Sequence, residues 1–189
     1  LHQDQPVTSK WTSHALLLST GALCNDAVIQ RVGADEDEFR AVGDPTEGAL
    51  VVAAARTGLW KERLEEFFPR IGEVPFSSER RRMSTLHRCC GAPENELQAI
   101  ESAAALVFQT HPAVLFVKGG VDGLLDVSKS IWLDGQVLPL SSDWRGRIQG
   151  ANERLAKEGL RVLGMAYRPF DLPGGNVPPL DEQDENDLI

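Results

Sequence analysis

The chain is poor in the features that mark several classes of protein. It has 3 cysteines among 189 residues, and two of them, Cys89 and Cys90, are adjacent. Because adjacent cysteines are too strained for an ordinary bridge, we expect no disulfide framework. No apolar run approaches the ~18 residues of a transmembrane helix, and residues 1–10 lack the regions of a signal peptide. We therefore expect no direct membrane insertion by this segment.

An excess of basic residues is also missing. The chain has 28 acidic and 19 basic residues, a net charge of -9. Six of the acidic residues, and no basic residue, fall in 171–189, so the rest of the chain is close to neutral. A domain that binds DNA or RNA normally carries a basic excess. We therefore expect no nucleic-acid partner.

The short motifs of complete enzymes are absent as well. The sequence has no Gly-x-x-x-x-Gly-Lys-Ser/Thr loop and no Gly-x-Gly-x-x-Gly. It also lacks His-Glu-x-x-His, Cys-x-x-Cys and Gly-x-Ser-x-Gly. We therefore predict no catalytic residue and no metal site formed by this chain alone.

Local patterns predict several helices. Apolar residues at helical spacing predict a helix over 142–158, and similar signals favour helices over 9–22, 60–68 and the Ala-rich 94–107. The sharpest start is Asp44-Pro45-Thr46-Glu47, where Asp44 suits the N-cap and Pro45 the first helical position. Glu47 would complete a capping box.

Strand-like segments alternate irregularly with these helices, at 70–76, 80–88, 113–117 and 160–167. The first two read as a hairpin. This order favours an α+β fold over a parallel doubly wound sheet.

Five short blocks occur together in a fixed order. They are LCNDA at 23–27, GDPTEGAL at 43–50, PFSSERRRMS at 75–84, VKGG at 117–120 and GLRVL at 159–163. Together they resemble the nucleotide-binding domain of type II P-type ATPases, the calcium, sodium/potassium and proton pumps. The resemblance covers roughly residues 12–170.

The resemblance implies an α+β domain with one twisted, largely antiparallel sheet flanked by helices. It implies a single nucleotide-binding domain over 1–170, part of a larger pump, and an acidic linker toward the next domain over 171–189. The expected cofactors are ATP and Mg²⁺ carried by the nucleotide. The expected partners are the phosphorylation and actuator domains, on the cytoplasmic side of a membrane. The block at 43–50 looks most like calcium-type pumps, so calcium is the expected ion.

The same resemblance implies roles for individual residues. Phe76 would stack on adenine, Glu47 would accept a hydrogen bond from the exocyclic amine, and Lys118 would line the pocket. Arg161 would reach the phosphates, for which a guanidinium is well suited. The implied nucleotide-binding residues are Thr46, Glu47, Phe76, Ser78, Arg81, Lys118, Gly119, Gly120 and Arg161.

Two departures leave the phosphate side open. Ser78 stands where the family often has an arginine, and Arg81 where it often has a lysine. Phosphate contact could therefore fall to Arg81, or to Arg80 or Arg82, depending on strand register.

Each of these residues also has a purely structural interpretation. Phe76 could be a core aromatic, Glu47 a capping residue, and the arginine run a solvated strand face. The alternative function is a non-catalytic regulatory or protein-interaction domain that kept the fold but lost nucleotide binding. A complete small kinase or hydrolase would need a carboxylate-metal site, which the motifs do not provide.

Overall fold

A computed structural model of the chain describes residues 9–32, 39–90, 111–133 and 135–189. The helices are α1 (Ser9–Leu23), α2 (Pro45–Ala55), α3 (Lys61–Phe67), α4 (Val121–Val127) and α5 (Ser142–Lys157). The strands are β1 (Val28–Arg31), β2 (Phe39–Val42), β3 (Arg70–Ser77), β4 (Arg82–Arg88), β5 (Ala113–Gly119), β6 (Ser130–Leu133), β7 (Gln136–Pro139) and β8 (Gly164–Phe170). The helix predicted over 94–107 lies outside the described residues.

The main sheet has four strands in the order β3-β4-β5-β8, and every neighbouring pair is antiparallel. Two separate hairpins, β1-β2 and β6-β7, lie outside it. The predicted hairpin of the third and fourth strands is present. This architecture confirms the α+β prediction and the largely antiparallel sheet.

Strand β5, one of the two inner strands of the main sheet, is buried along its whole length and separates two apolar layers. Its side chains alternate between the faces of the sheet. Val114 and Phe116 pack with α1 and α3, in a cluster that includes Leu23 and Leu64. By the same alternation Lys118, the next residue in that register, belongs to the α1 side of the sheet.

The opposite face of β5 is covered by α4 and by the end of the chain. Leu115 and Val117 pack with Leu124 of α4 and with Leu172 and Leu188. Successive side chains of β5 therefore belong alternately to one apolar layer and to the other.

The segment 171–189 packs on the domain instead of extending away from it. Leu188 is fully buried, and the backbone of Ile189 exchanges hydrogen bonds with Tyr167 of β8 at 2.9 and 3.1 Å. The acidic, Pro/Gly-containing composition of this stretch predicts a linker or a poorly ordered tail, because composition does not reveal its few apolar contacts. Its role as a linker toward a next domain stays a prediction.

Helix α5 forms where the sequence predicts it, although none of its residues is fully buried. One local prediction needs correction. The last main strand begins at Gly164, not at residue 160. A Cβ at Gly164 would lie 2.8 Å from Leu124 Cδ1, so β8 begins at a glycine that packs closely against a side chain of α4. Residues 160–163 instead form an irregular connection.

His87 is a fully buried polar residue on β4. Its Nδ1 donates to the Phe68 carbonyl at 2.7 Å, and its Nε2 accepts from Thr85 Oγ1 at 2.9 Å. This is the arrangement of a neutral ring with its proton on Nδ1. Burial is the largest cause that lowers the pKa of His87 to about 4.

We predict that His87 makes the domain less stable in acid. Between pH 6.5 and about 4 the unfolded chain binds a proton at this histidine and the folded chain does not. The free energy of unfolding therefore decreases as the pH is lowered through this range. The loss is about 3 kcal/mol across that window. Urea unfolding at several pH values measures it.

His87→Asn should flatten this pH dependence, whereas His111→Gln, at a more exposed histidine, should not. Equal slopes in wild type and His87→Asn would contradict the assignment.

Candidate functional site

A cleft of about 550 Å³ opens where the β3–β4 turn, the end of β5 and the start of α2 meet. Its volume is in the range of ligand pockets, which is roughly 300–1,000 Å³. Its wall is formed by Asp44, Thr46, Glu47, Phe76, Arg81, Lys118, Gly119, Arg161 and Leu163.

Phe76 is 61% exposed at this cleft. The pairing of β3 with β4 slips between Val74 and Ser77, so β3 carries one extra residue there. Pro75, which lacks an N–H and cannot donate to the ladder, falls in this bulge. The bulge turns the neighbouring phenylalanine away from the core, so the structure does not support the interpretation of Phe76 as a core aromatic.

The turn from β3 to β4 places Arg81 at the cleft. The Arg81 N–H donates to the Ser77 carbonyl at 2.8 Å, and Arg81 has φ of 52°, which is unusual for a residue with a side chain. The Arg81 carbonyl then accepts from the Gly120 N–H at 3.0 Å. Both the backbone N–H and the backbone carbonyl of Arg81 are therefore held by hydrogen bonds.

Gly119 is the point where β5 touches this turn. A Cβ on Gly119 would lie 2.6 Å from the Arg81 carbonyl oxygen and 2.6 Å from Arg82 Cβ. The two glycines after Lys118 predict a stretch where a ligand can approach the backbone closely. At Gly119 the chain's own turn occupies that space. A Cβ on Gly120 would meet nothing within 4 Å.

Lys118 and Glu47 form an ion pair at the base of the cleft. The Lys118 side chain is 8% exposed and that of Glu47 18%, and Nζ donates to Glu47 Oε1. The other Glu47 oxygen accepts from the Asp26 N–H at 3.0 Å. The two oxygens of Glu47 therefore bond to β5 and to the loop after α1. These contacts differ from the capping box that the sequence predicts.

The start of α2 forms as predicted. Asp44 is the N-cap, and its Oδ1 accepts from the N–H groups of Thr46 and Glu47 at 2.8 and 3.2 Å. These two hydrogen bonds, with that of Glu47 the larger cause, hold the pKa of Asp44 below its usual range. The cap thus fixes Glu47 on the first turn of α2 and adds a carboxylate to the cleft wall.

The loop after α1 makes hydrogen bonds to the first turn of α2. Asn25 is buried, and its Nδ2 donates to the carbonyls of Gly21 and Glu47 at 2.9 and 3.0 Å. Lys61 is also buried, and its Nζ donates to the carbonyls of Asn25 and Ala27 at 2.5 and 3.1 Å. Burial is the largest cause that lowers the pKa of Lys61. These contacts give Asn25 a structural role at the end of α1.

Arg161 reaches the cleft from the connection that follows α5. Its Nη1 donates to Thr46 Oγ1 at 2.7 Å. The hydroxyl is neutral, so this contact orients the guanidinium without cancelling its charge.

The structure brings together seven of the nine predicted residues. Thr46, Glu47, Phe76, Arg81, Lys118, Gly119 and Arg161 line the cleft. Ser78 is exposed in the turn and is not part of the wall, and Gly120 is the N-cap of α4. Of the three arginines left open, Arg81 faces the cleft, whereas Arg80 and Arg82 are paired with Glu185.

Two wall residues were not among the predictions, Asp44 and Leu163. Both belong to blocks that the sequence contains, Asp44 as an N-cap and Leu163 as the end of GLRVL. Their positions in those blocks were the available signal.

Comparison with known proteins identifies the family. The model for the cytoplasmic domain N of P-type ATPases matches residues 13–188. The chain belongs to this family of N domains. This confirms the resemblance given by the five blocks.

The relatives of this N domain are much longer proteins. It is 34% identical over 174 residues to calcium-transporting ATPase 1 of Lactococcus lactis, which is 92% of this chain and 16% of the relative. It is 36% identical over 155 residues to the cation-transporting ATPase pma1 of Synechocystis, 82% of this chain and 14% of the relative. It is 32% identical over 172 residues to a calcium-transporting ATPase of Bacillus subtilis, 91% and 16% respectively. The chain spans about one sixth of such relatives.

Within the described ranges, no helix has the length and apolar character to cross a membrane. No group of three or more His, Cys, Asp or Glu side chains within them could hold a metal ion.

We predict that Gly119→Ala destabilises the N domain more than Gly120→Ala does. The new methyl at residue 119 would collide with backbone, which cannot rotate away, so the cost is about 2 kcal/mol. At residue 120, the N-cap of α4, the space is open and only the poorer N-cap preference of alanine opposes the change, so the cost should stay below about 1 kcal/mol. Urea denaturation of the two matched variants measures both, and equal stabilities would contradict the close contact.

We predict that Lys118 and Glu47 are energetically coupled. Breaking a buried pair from one side leaves the other charge uncompensated, so Lys118→Met and Glu47→Gln should each destabilise by more than about 1 kcal/mol. The double variant should cost less than the sum, by about 1–2 kcal/mol.

The exposed pair Lys129–Asp187 is the control for this cycle, because its side chains are 72% and 56% exposed. Its coupling should stay below about 0.5 kcal/mol. Additive effects at Lys118 and Glu47 would mean that the contact contributes nothing measurable.

Proposed function

We propose that the cleft binds ATP, with the adenine on Phe76 and the phosphates directed toward Arg81 and Arg161. The observation that supports this most is the position of Phe76, whose ring is 61% exposed on the same cleft as three cationic side chains. Water-exposed aromatic rings are costly, and a π surface beside guanidinium groups suits a nucleotide.

The adenine half of the proposed site combines a ring, an aliphatic wall and an acceptor. Phe76 supplies the π face and Leu163 an apolar wall residue. Glu47 can still accept a hydrogen bond from the exocyclic amine, because each carboxylate oxygen has two lone pairs and the described contacts use one of each.

The phosphate half depends on charges that remain uncompensated. Lys118 is paired with Glu47, whereas Arg81 and Arg161 form no ion pair with the described residues; Arg161 donates to the neutral Thr46 hydroxyl and is attracted by the nearby Asp44 carboxylate. These two guanidinium groups are therefore the ones we assign to the phosphates. Mg²⁺ would arrive with the nucleotide, held by phosphate oxygens.

In the longer protein, this N domain would hold MgATP so that its γ-phosphate passes to an aspartate in a separate phosphorylation domain. The role is positioning, which lowers the entropic barrier of a transfer completed elsewhere. Calcium is our proposed ion, supported by the calcium-transporting relatives of Lactococcus and Bacillus.

We predict saturable chemical-shift changes when ATP is titrated into the isotopically labelled 189-residue chain. Phe76→Ala should weaken binding about tenfold, because loss of stacking on a base costs roughly 1–3 kcal/mol. The fold should be unaffected, since the ring is exposed. Val137→Ala, at an exposed apolar residue of the β6-β7 hairpin, is the matched control and should bind normally.

A second variant separates the two halves of the site. Arg81→Ala should weaken ATP binding and leave adenosine binding within about twofold, because the charge acts only on phosphate. If the folded chain shows no saturable shifts at millimolar ATP, nucleotide binding is lost and the alternative, a regulatory or interaction domain, is the better description.

A further inference from the structure

Glu185, near the end of the chain, is a carboxylate with no exposed surface. It lies in a short 3-10 turn (Glu182–Glu185). Arg80 Nη1 donates to both of its oxygens at 2.7 and 2.8 Å, and Arg82 Nε donates at 2.7 Å. Ser84 Oγ donates to Oε1 at 2.7 Å. A distant segment thus holds the β3–β4 hairpin through four hydrogen bonds.

The geometry of the hairpin explains why Arg81 is left out of this cluster. Arg82 and Ser84 are two residues apart on β4, so they share one face of the sheet. Arg80 lies in the turn and joins them at Glu185, whereas Arg81 faces the cleft. One carboxylate therefore divides three consecutive arginines into two that are buried on the far side and one that faces the proposed phosphates.

The cluster also reaches the strand that carries Phe76. The Nη2 of Arg80 donates to the Pro75 carbonyl, in the bulge that turns the phenylalanine outward. Arg80 Nε lies 3.1 Å from Oε1 of the exposed Glu182, close enough for an ion pair although not aligned as a hydrogen bond. Glu185 is thus linked to both sides of the hairpin.

The hydrogen-bonded cluster around Glu185 depends on the negative charge of this carboxylate. Arg80 and Arg82 have side chains that are 8% and 14% exposed, and Glu185 is the buried anion between them. Without its charge the two guanidinium groups would be partly desolvated and would repel each other, so they would move toward water. The turn that carries Arg81 would move with them.

We propose that Glu185 is a positioning residue of the cleft, which acts through Arg80 and Arg82 to hold Arg81 in place. Its effect on ATP rests on the proposed function, but its effect on the turn does not. Two measurements therefore separate the two claims.

The first measurement needs no nucleotide. Hydrogen exchange of the Arg81 and Gly120 amides reports the turn directly, because these amides bond to Ser77 and to Arg81. In Glu185→Gln both should exchange about tenfold faster, while the α2 amides stay unchanged. Glu182→Gln, the same chemical change at a side chain 68% exposed, is the control and should alter them by less than about twofold.

The second measurement is a double-variant cycle on ATP affinity at physiological salt. Glu185→Gln should weaken ATP binding several-fold in the wild-type background and have little effect in the Arg81→Ala background. A merely structural residue would weaken both backgrounds equally. Glu185→Asp, which keeps the charge but shortens the reach, serves if Glu185→Gln does not fold, and should accelerate exchange of the same two amides.

Each outcome has a definite meaning. Unchanged exchange in a folded Glu185→Gln or Glu185→Asp variant would overturn the proposal, as would equal affinity losses in the two backgrounds. Faster exchange with no ATP binding by the wild type would overturn the proposed function while supporting the positioning of the turn.

Discussion

Gly119 and the backbone of the β3–β4 turn approach each other so closely that no side chain fits between them. This contact sets the geometry of the cleft, because it brings the turn carrying Arg81 against the end of β5, directly after Lys118. The hydrogen bond from Gly120 to the Arg81 carbonyl, at 3.0 Å, closes the junction. The atoms in conflict would be backbone atoms, which cannot move aside as side chains do, so glycine is required there.

The alternation of β5 links this junction to the rest of the molecule. Its residues on one face lead to the α1–α3 layer and to Lys118, which meets Glu47 of α2. Its residues on the other face lead to α4 and the terminal segment, which supplies Glu185. The cleft therefore lies at the strand end where both layers contribute, and the β3–β4 hairpin connects them.

The sequence alone predicted the elements that depend on local physics. The start of α2 followed from Asp44 and Pro45, because capping involves residues two or three positions apart. The roles of Glu47 and of the arginine run could not be decided in that way, since their partners, Lys118 and Glu185, lie 71 and about 100 residues away. The sequence pattern places the start of β8 too early for a related reason. The first residue of β8, Gly164, packs closely against Leu124 of α4, and no local pattern reveals that distant contact.

The distribution of charge in the cleft suits a site that retains a ligand at one end and exposes it at the other. Lys118 is almost fully buried and its charge is matched by Glu47, so it contributes rigidity at the base more than free attraction. Arg81 and Arg161 are exposed and form no ion pair with the described residues, although Asp44 attracts Arg161, so both remain able to bind a phosphate. In the proposed complex, the adenine would be held by contact with Phe76 and Leu163, and the phosphates by charge near solvent. Charge contacts near water are weak and easily exchanged. That behaviour fits the proposed function, in which the domain would present a phosphoryl group to a neighbouring domain.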